Sequence, residues 1–150
     1  MQIDVNKIRG LCDPEKNQKI YVDDLIIEKG ALQKLPIVLQ EKYPQYKNIV
    51  MICDENTYQA AGKTVEQIVP SIHTIILDPT NLHADEHGVG LAEEGLKQYP
   101  DVDFMIACGS GTIHDITRYH AYHKKINFLS IPTAASVDGF VSTMAAMTWK

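Results

Sequence analysis

Positive charge is scarce in this sequence. Its 150 residues carry 14 Lys and Arg against 19 Asp and Glu, a net charge of −5. No basic stripe stands out, which argues against a protein that works by neutralising nucleic-acid phosphates. Long apolar runs are missing as well. None approaches the ~20 residues of a membrane span. The opening MQIDVNKIRG holds no secretory apolar stretch, so the expected location is the cytoplasm. Cysteine is sparse: Cys12, Cys53 and Cys108 form no CxxC pair, and their odd number suggests no disulfide framework. Cys53 and Cys108 lie inside apolar runs, which predicts buried, unreactive thiols. What is present, 45% hydrophobic and 22% charged residues, fits one globular domain. A chain of this length can bury ~70% of the surface its unfolded form exposes.

Residues 1–22 are polar and weakly patterned and read as a surface lead-in. The apolar Leu25, Ile26 and Ile27 precede a helical stretch with Ala31, Leu32, Leu35, Val38 and Leu39 on one side. Pro36 predicts that this helix is kinked or begins late. From Asn48 the pattern becomes regular. Ile49–Cys53, closed by Asp54, is a continuous apolar run, as in a strand buried on both faces. Tyr58, Ala61, Val65 and Ile68 recur at helical spacing. Ile72 to Leu77 reads as a second strand, and Val89, Ala92, Leu96 and Tyr99 as a second helix ended by Pro100. Phe104–Cys108 is a third strand running into Gly109-Ser110-Gly111-Thr112. Ile113, Ile116 and His120 share one face of the helix that follows. Phe128–Ile131 is a fourth strand, stopped by Pro132. This alternation predicts an α/β fold, a Rossmann-like parallel sheet with helices on both faces. Right-handed crossovers then bring every strand's carboxyl end to one edge, where ligands of such sheets bind.

Three segments follow directly after predicted strands and should meet at that edge. In the glycine turn, Gly109 and Gly111 permit close backbone approach, and the helix after them offers free N–H groups and a positive dipole end to a phosphate. Asp115, early in that helix, suits the dipole. The alternative is a plain strand-to-helix turn, since neither a full GxGxxG nor a Walker loop is present. Asp54 can accept hydrogen bonds from the ribose hydroxyls of an adenosine, or it can simply cap the helix from Glu55. The third segment, Thr133-Ala134-Ala135-Ser136-Val137-Asp138 with Ser142 and Thr143 beyond, is rich in small and hydroxyl side chains that could touch a cofactor. Asp138 there is either functional or a turn former.

Histidines invite a metal reading and give it little support. His114, His120 and His123 share one helix but point in different directions; His120 and His123 could face one way, without an obvious third ligand. His73, His83 and His87 are scattered. Tyr119 and Tyr122 read as helix packing with His120.

The run Gly109-Ser110-Gly111-Thr112-Ile113-His114-Asp115-Ile116-Thr117-Arg118-Tyr119, together with Ile131-Pro132-Thr133-Ala134-Ala135-Ser136-Val137-Asp138-Gly139-Phe140, closely resembles the sn-glycerol-1-phosphate dehydrogenases, especially the bacterial type. That group lies in the superfamily of glycerol dehydrogenases, iron-containing alcohol dehydrogenases and dehydroquinate synthases. Asp54-Glu55-Asn56-Thr57-Tyr58 with Ala60-Ala61-Gly62 is similar to the corresponding family segment, and the resemblance extends over residues 20–148. It implies an NAD- or NADP-dependent enzyme of phospholipid metabolism that interconverts dihydroxyacetone phosphate, a small phosphorylated substrate, and sn-glycerol 1-phosphate. Carried over by residue, Asp54 holds the adenosine ribose, and Gly109, Ser110, Gly111, Thr112 and Ile113 wrap the pyrophosphate. Thr133, Ala134, Ala135, Ser136 and Ser142 contact the cofactor nearer its nicotinamide, and Asp138 contacts the substrate.

The family also implies a helical C-terminal domain whose Asp and two His bind zinc or nickel. No residue here matches that motif. Residues 1–150 are therefore expected to be the N-terminal NAD(P)-binding domain, inactive alone, with homo-oligomer formation left open. Glycerol dehydrogenase or a related metal-dependent alcohol dehydrogenase is the alternative activity, since it shares the PTxASxD pattern. The PTTLLAxxDSSVGGK loop of dehydroquinate synthase is not matched. An isolated nucleotide-binding module without catalysis is the alternative of another class.

Overall fold

The computed structural model of the chain describes residues 3–7, 12–13, 18–19, 21–137 and 144–149. Two short strands, β1 (Cys12–Asp13) and β2 (Gln18–Lys19), form an antiparallel pair in the lead-in. A 3₁₀ turn, Ala31–Lys34, then runs into α1 (Leu35–Lys42). Pro36 stands in the first turn of α1, where its missing N–H costs no helix bond, so the helix begins late and is not kinked.

The regular part follows as β3 (Ile49–Asp54), α2 (Glu55–Thr57), a π-helical stretch Tyr58–Gly62, and α3 (Lys63–Ile68). Then come β4 (His73–Leu77), α4 (Glu86–Leu96), β5 (Phe104–Gly109), α5 (Gly111–Lys124) and β6 (Asn127–Pro132). Tyr99 lies past the end of α4, where its N–H closes a turn onto the Leu96 carbonyl. The π-helical stretch was not expected. It contains buried Gly62, where a Cβ would meet the Tyr58 ring at 2.9 Å.

The four long strands form one parallel sheet in the order β4-β3-β5-β6. Each face has its own core. Leu35, Leu39 and Val65 of α1 and α3 pack on Met51, Cys53, Ile106 and Cys108. Ala92, Leu96, Ile113 and Ile116 of α4 and α5 pack on Val50, Ile52, Met105 and Ala107. Every residue of β3 and β5 is buried, which is why both read as unbroken apolar runs. Burying each Ile or Met there contributes roughly 1.5–3 kcal/mol.

The topology creates one special position. From β3 the chain moves to β4 on one side, then returns past β3 to β5 on the other. The helices after β3 and β5 thus leave from neighbouring strands toward opposite faces, opening a crevice between those strand ends.

Candidate nucleotide site at the switch point

Ile52 pairs with Ala107, so Asp54 and Gly109, each two residues further on, end their strands side by side at this crevice. Gly109 in turn pairs with Pro132 of β6, and the Thr133 N–H donates to the Gly109 carbonyl at 3.2 Å. Two of the three expected segments, with the start of the third, therefore meet where strand order alone would place a ligand. Of the third segment, Ala134, Ala135 and Ser136 are exposed in a turn closed by the Val137 N–H on the Ala134 carbonyl at 3.2 Å. Asp138, Ser142 and Thr143 lie outside the described residues.

Asp54 caps α2 in both directions. Its Oδ1 accepts the Thr57 N–H at 2.8 Å, and its own N–H donates to Thr57 Oγ1 at 3.0 Å. This capping box is written in the sequence as Asp-x-x-Thr. The carboxylate is 8% exposed and is held rigidly at the strand end.

The glycine turn is built differently. Ser110 occupies the N-cap of α5 yet makes no side-chain cap bond. The first N–H groups of a helix have no intrahelical acceptor, so those of Gly111, Thr112 and Ile113 remain for an external one. Gly111 is exposed, and a Cβ built there would meet nothing within 4 Å. Its φ is not positive, so the fold itself does not require glycine at this position. Gly109 is the opposite case: a Cβ would meet the Ile113 side chain at 2.8 and 2.9 Å, so glycine there lets α5 pack against β5. The space over Gly111 is open, with positive helix charge beneath it that favours an anion.

Asp115, the fifth residue of α5, is engaged by Arg118, whose Nη1 donates to Oδ1 at 2.9 Å and also to the Met144 carbonyl at 2.9 Å. The histidines separate as expected. His114 turns to the Ser110 carbonyl, buried His120 to the Val89 carbonyl at 3.0 Å, and His123 lies against Tyr119 with ring centroids 4.3 Å apart. Among the described residues no three His, Cys, Asp or Glu side chains could hold a metal ion. Tyr119 packs on His120, His123 and Trp149, but Tyr122 is 78% exposed and does not belong to the packed helix face. Cys53 and Cys108 are fully buried, and desolvation pushes both thiols up to about 12.

A concavity of about 1110 Å³ lies elsewhere, along β6 between Tyr43, Phe104, Arg118, Phe128 and Trp149. Neither Asp54 nor the glycine turn lines it. Convergent polar groups at the switch point, and not volume, mark the site. Sequence reasoning missed three of its features: the Ser110 side chain leaves the cap unmade, Thr133 ties β6 to the turn, and His114 contacts the turn. Only the last had a signal, its i+4 spacing from Ser110.

Comparison with known proteins gives the family and the fold. The chain is 34% identical over 145 residues to the glycerol-1-phosphate dehydrogenase [NAD(P)+] of Geobacillus thermodenitrificans, covering 91% of this chain and 34% of that protein. It is 38% identical over 138 residues to the Bacillus subtilis protein of the same name, covering 87% and 34%. The chain thus spans about a third of the length of the curated relatives it matches. Among solved structures, a probable glycerol dehydrogenase from Sinorhizobium meliloti superimposes with a TM-score of 0.65 at 17% identity, over 81% of this chain and 32% of that one. A sulfoacetaldehyde reductase from Bifidobacterium kashiwanohense, in complex with NAD+, gives 0.58 at 13% identity, over 79% and 36%. Both share the fold. Residues 26–150 match the family described as iron-containing alcohol dehydrogenase, and the chain belongs to that family.

Proposed function

We propose that residues 1–150 form the NAD(P)-binding domain, with 1–22 as its lead-in, of a cytoplasmic dehydrogenase that interconverts dihydroxyacetone phosphate and sn-glycerol 1-phosphate. The observation that carries the dinucleotide part is the uncapped start of α5 beneath open Gly111, beside Gly109 and Asp54 at the switch point. The names of the curated relatives support the substrate.

In this reading the N–H groups of Gly111, Thr112 and Ile113 hold the pyrophosphate, with Gly109 and Ser110 shaping the turn. Asp54 pairs with the adenosine ribose, where its charge disfavours a 2′-phosphate and so favours NAD over NADP. Thr133, Ala134, Ala135 and Ser136 lie toward the nicotinamide, and the Thr133 bond to Gly109 fixes their start relative to the turn. Ser142 and Asp138 are carried by the family resemblance alone. When bound, the dinucleotide supplies or accepts the hydride. The described residues do not fit the divalent metal that the resemblance implies. No described helix is long and apolar enough to cross a membrane.

The test is turnover by the full-length protein with divalent metal added. NADH oxidation with dihydroxyacetone phosphate should exceed that with unphosphorylated dihydroxyacetone in kcat/KM. Preference for the unphosphorylated ketone would replace this substrate with glycerol. Failure to bind NADH at all would remove the dinucleotide reading.

A further inference from the structure

His114 is 1% exposed in the first turn of α5. Its main-chain N–H donates to the Ser110 carbonyl at 3.0 Å, and its ring Nδ1 lies 2.8 Å from the same oxygen. A carbonyl oxygen only accepts, so Nδ1 carries the proton and donates. Nε2 is then a bare acceptor, and it is buried without a hydrogen-bond partner. Leaving a buried polar atom unpaired costs stability. An apolar side chain of similar volume would avoid that cost. Burial also holds the ring neutral, lowering its pKa below the usual histidine value. What the imidazole adds beyond volume is therefore its bond to Ser110.

That bond acts on a single peptide unit. The Ser110–Gly111 linkage is trans and planar, so its C=O and N–H point in opposite directions. Two donors from His114 hold the carbonyl down the helix. The Gly111 N–H is thereby turned away from the helix body, at a residue where a Cβ would meet nothing within 4 Å. The Ser110 side chain makes no cap bond that would fix this unit from the other side.

We propose that His114 is a positioning residue for dinucleotide binding: its Nδ1–H locks the Ser110–Gly111 peptide and aims the Gly111 N–H at the pyrophosphate before the ligand arrives. The proposal rests on the dinucleotide reading above. Fixing the donor in advance removes an ordering cost from binding.

The experiment compares ADP-ribose, which contains the pyrophosphate, with AMP, which presents the same adenosine without it. Binding is measured by calorimetry on the full-length protein, for wild type, His114→Leu and His114→Asn. Asn Nδ2 can occupy the place of the imidazole Nδ1, whereas Leu keeps volume and loses the donor. His114→Leu should weaken ADP-ribose about tenfold, ~1.4 kcal/mol, and leave AMP unchanged; His114→Asn should restore most of the loss. Wild-type ADP-ribose affinity in folded His114→Leu would overturn the proposal, as would equal losses in both variants, which would mean that ring packing alone matters. Absence of ADP-ribose binding to wild type would fell the dinucleotide reading and this proposal with it. Should His114→Leu not fold, imidazole ¹⁵N shifts of the wild-type protein decide: protonated Nδ1 with bare Nε2 supports the lock, and the opposite tautomer overturns it.

Discussion

Two strand-to-helix turns stand side by side at the carboxyl edge of the sheet, and they finish their helices in opposite ways. At β3, Asp54 and Thr57 cap the start of α2 reciprocally, each side chain accepting the other's main-chain N–H. At β5, Ser110 has the chemistry of a cap and does not use it, and Gly111 leaves open space above the helix. The first turn satisfies its N3 donor from within. The second presents donors and a positive field with no acceptor from its own cap residue. A Ser, Thr or Asp at an N-cap position is therefore poor evidence of a closed helix, and the unmade bond is the better marker of a ligand site.

The contrast can be broken at the open turn, where the largest effect is expected. Gly111→Val should lower dinucleotide affinity about a hundredfold, ~2.7 kcal/mol, by filling the pyrophosphate space. Because a Cβ there meets nothing and φ is ordinary, the melting temperature should hardly change. Calorimetry beside thermal melts checks both halves, and wild-type affinity in the folded variant would make the turn merely structural. Gly109→Ala should do the reverse. Overlap with Ile113 destabilises the fold by about 1–3 kcal/mol, read from urea unfolding, before any effect on binding is considered.

The histidine beneath the open turn gives a pH signature. His114 and His120 both have folded-state pKa values lowered by burial. The unfolded chain therefore takes up protons near pH 6.5 while the native state does not. Stability should fall as pH drops below that value, by at most about 1.4 kcal/mol per pH unit for each ring. The decline should level off once pH passes below the folded values. A flat profile of unfolding free energy between pH 7 and 5 would contradict this.

The smallest effects sharpen the comparison directly. Thr57→Val removes one side of the closed cap and should cost about 1 kcal/mol. Ser110→Ala removes no cap bond and should stay within about 0.5 kcal/mol. Equal losses in unfolding experiments would mean that the two turns are not different in kind.

How much of this was legible depended on burial. β3 and β5 are enclosed on both faces, so their sequences are unbroken apolar runs, and the alternation around them spells out the parallel sheet. Pro36 left a kink or a late helix start open, and its place in the first turn of α1 decides for the late start. The β1–β2 pair was invisible, being two residues per strand in polar surroundings. The π-helical stretch was hidden because Tyr58, Ala61 and Val65 satisfy ordinary helical spacing. At the site, the two glycines looked equivalent. Only the position of Ile113 against Gly109, and of nothing against Gly111, separates a packing glycine from an open one. Asp54 carried both its readings in the sequence, and the capping one is visible in the fold.

The most direct measurement is the amide NMR spectrum of the protein titrated with ADP-ribose. The N–H resonances of Gly111, Thr112 and Ile113 should move downfield as they gain phosphate acceptors, and further than that of Thr57, which keeps its Asp54 acceptor. Saturable binding that leaves the Gly111 and Thr112 amides unmoved would contradict this account.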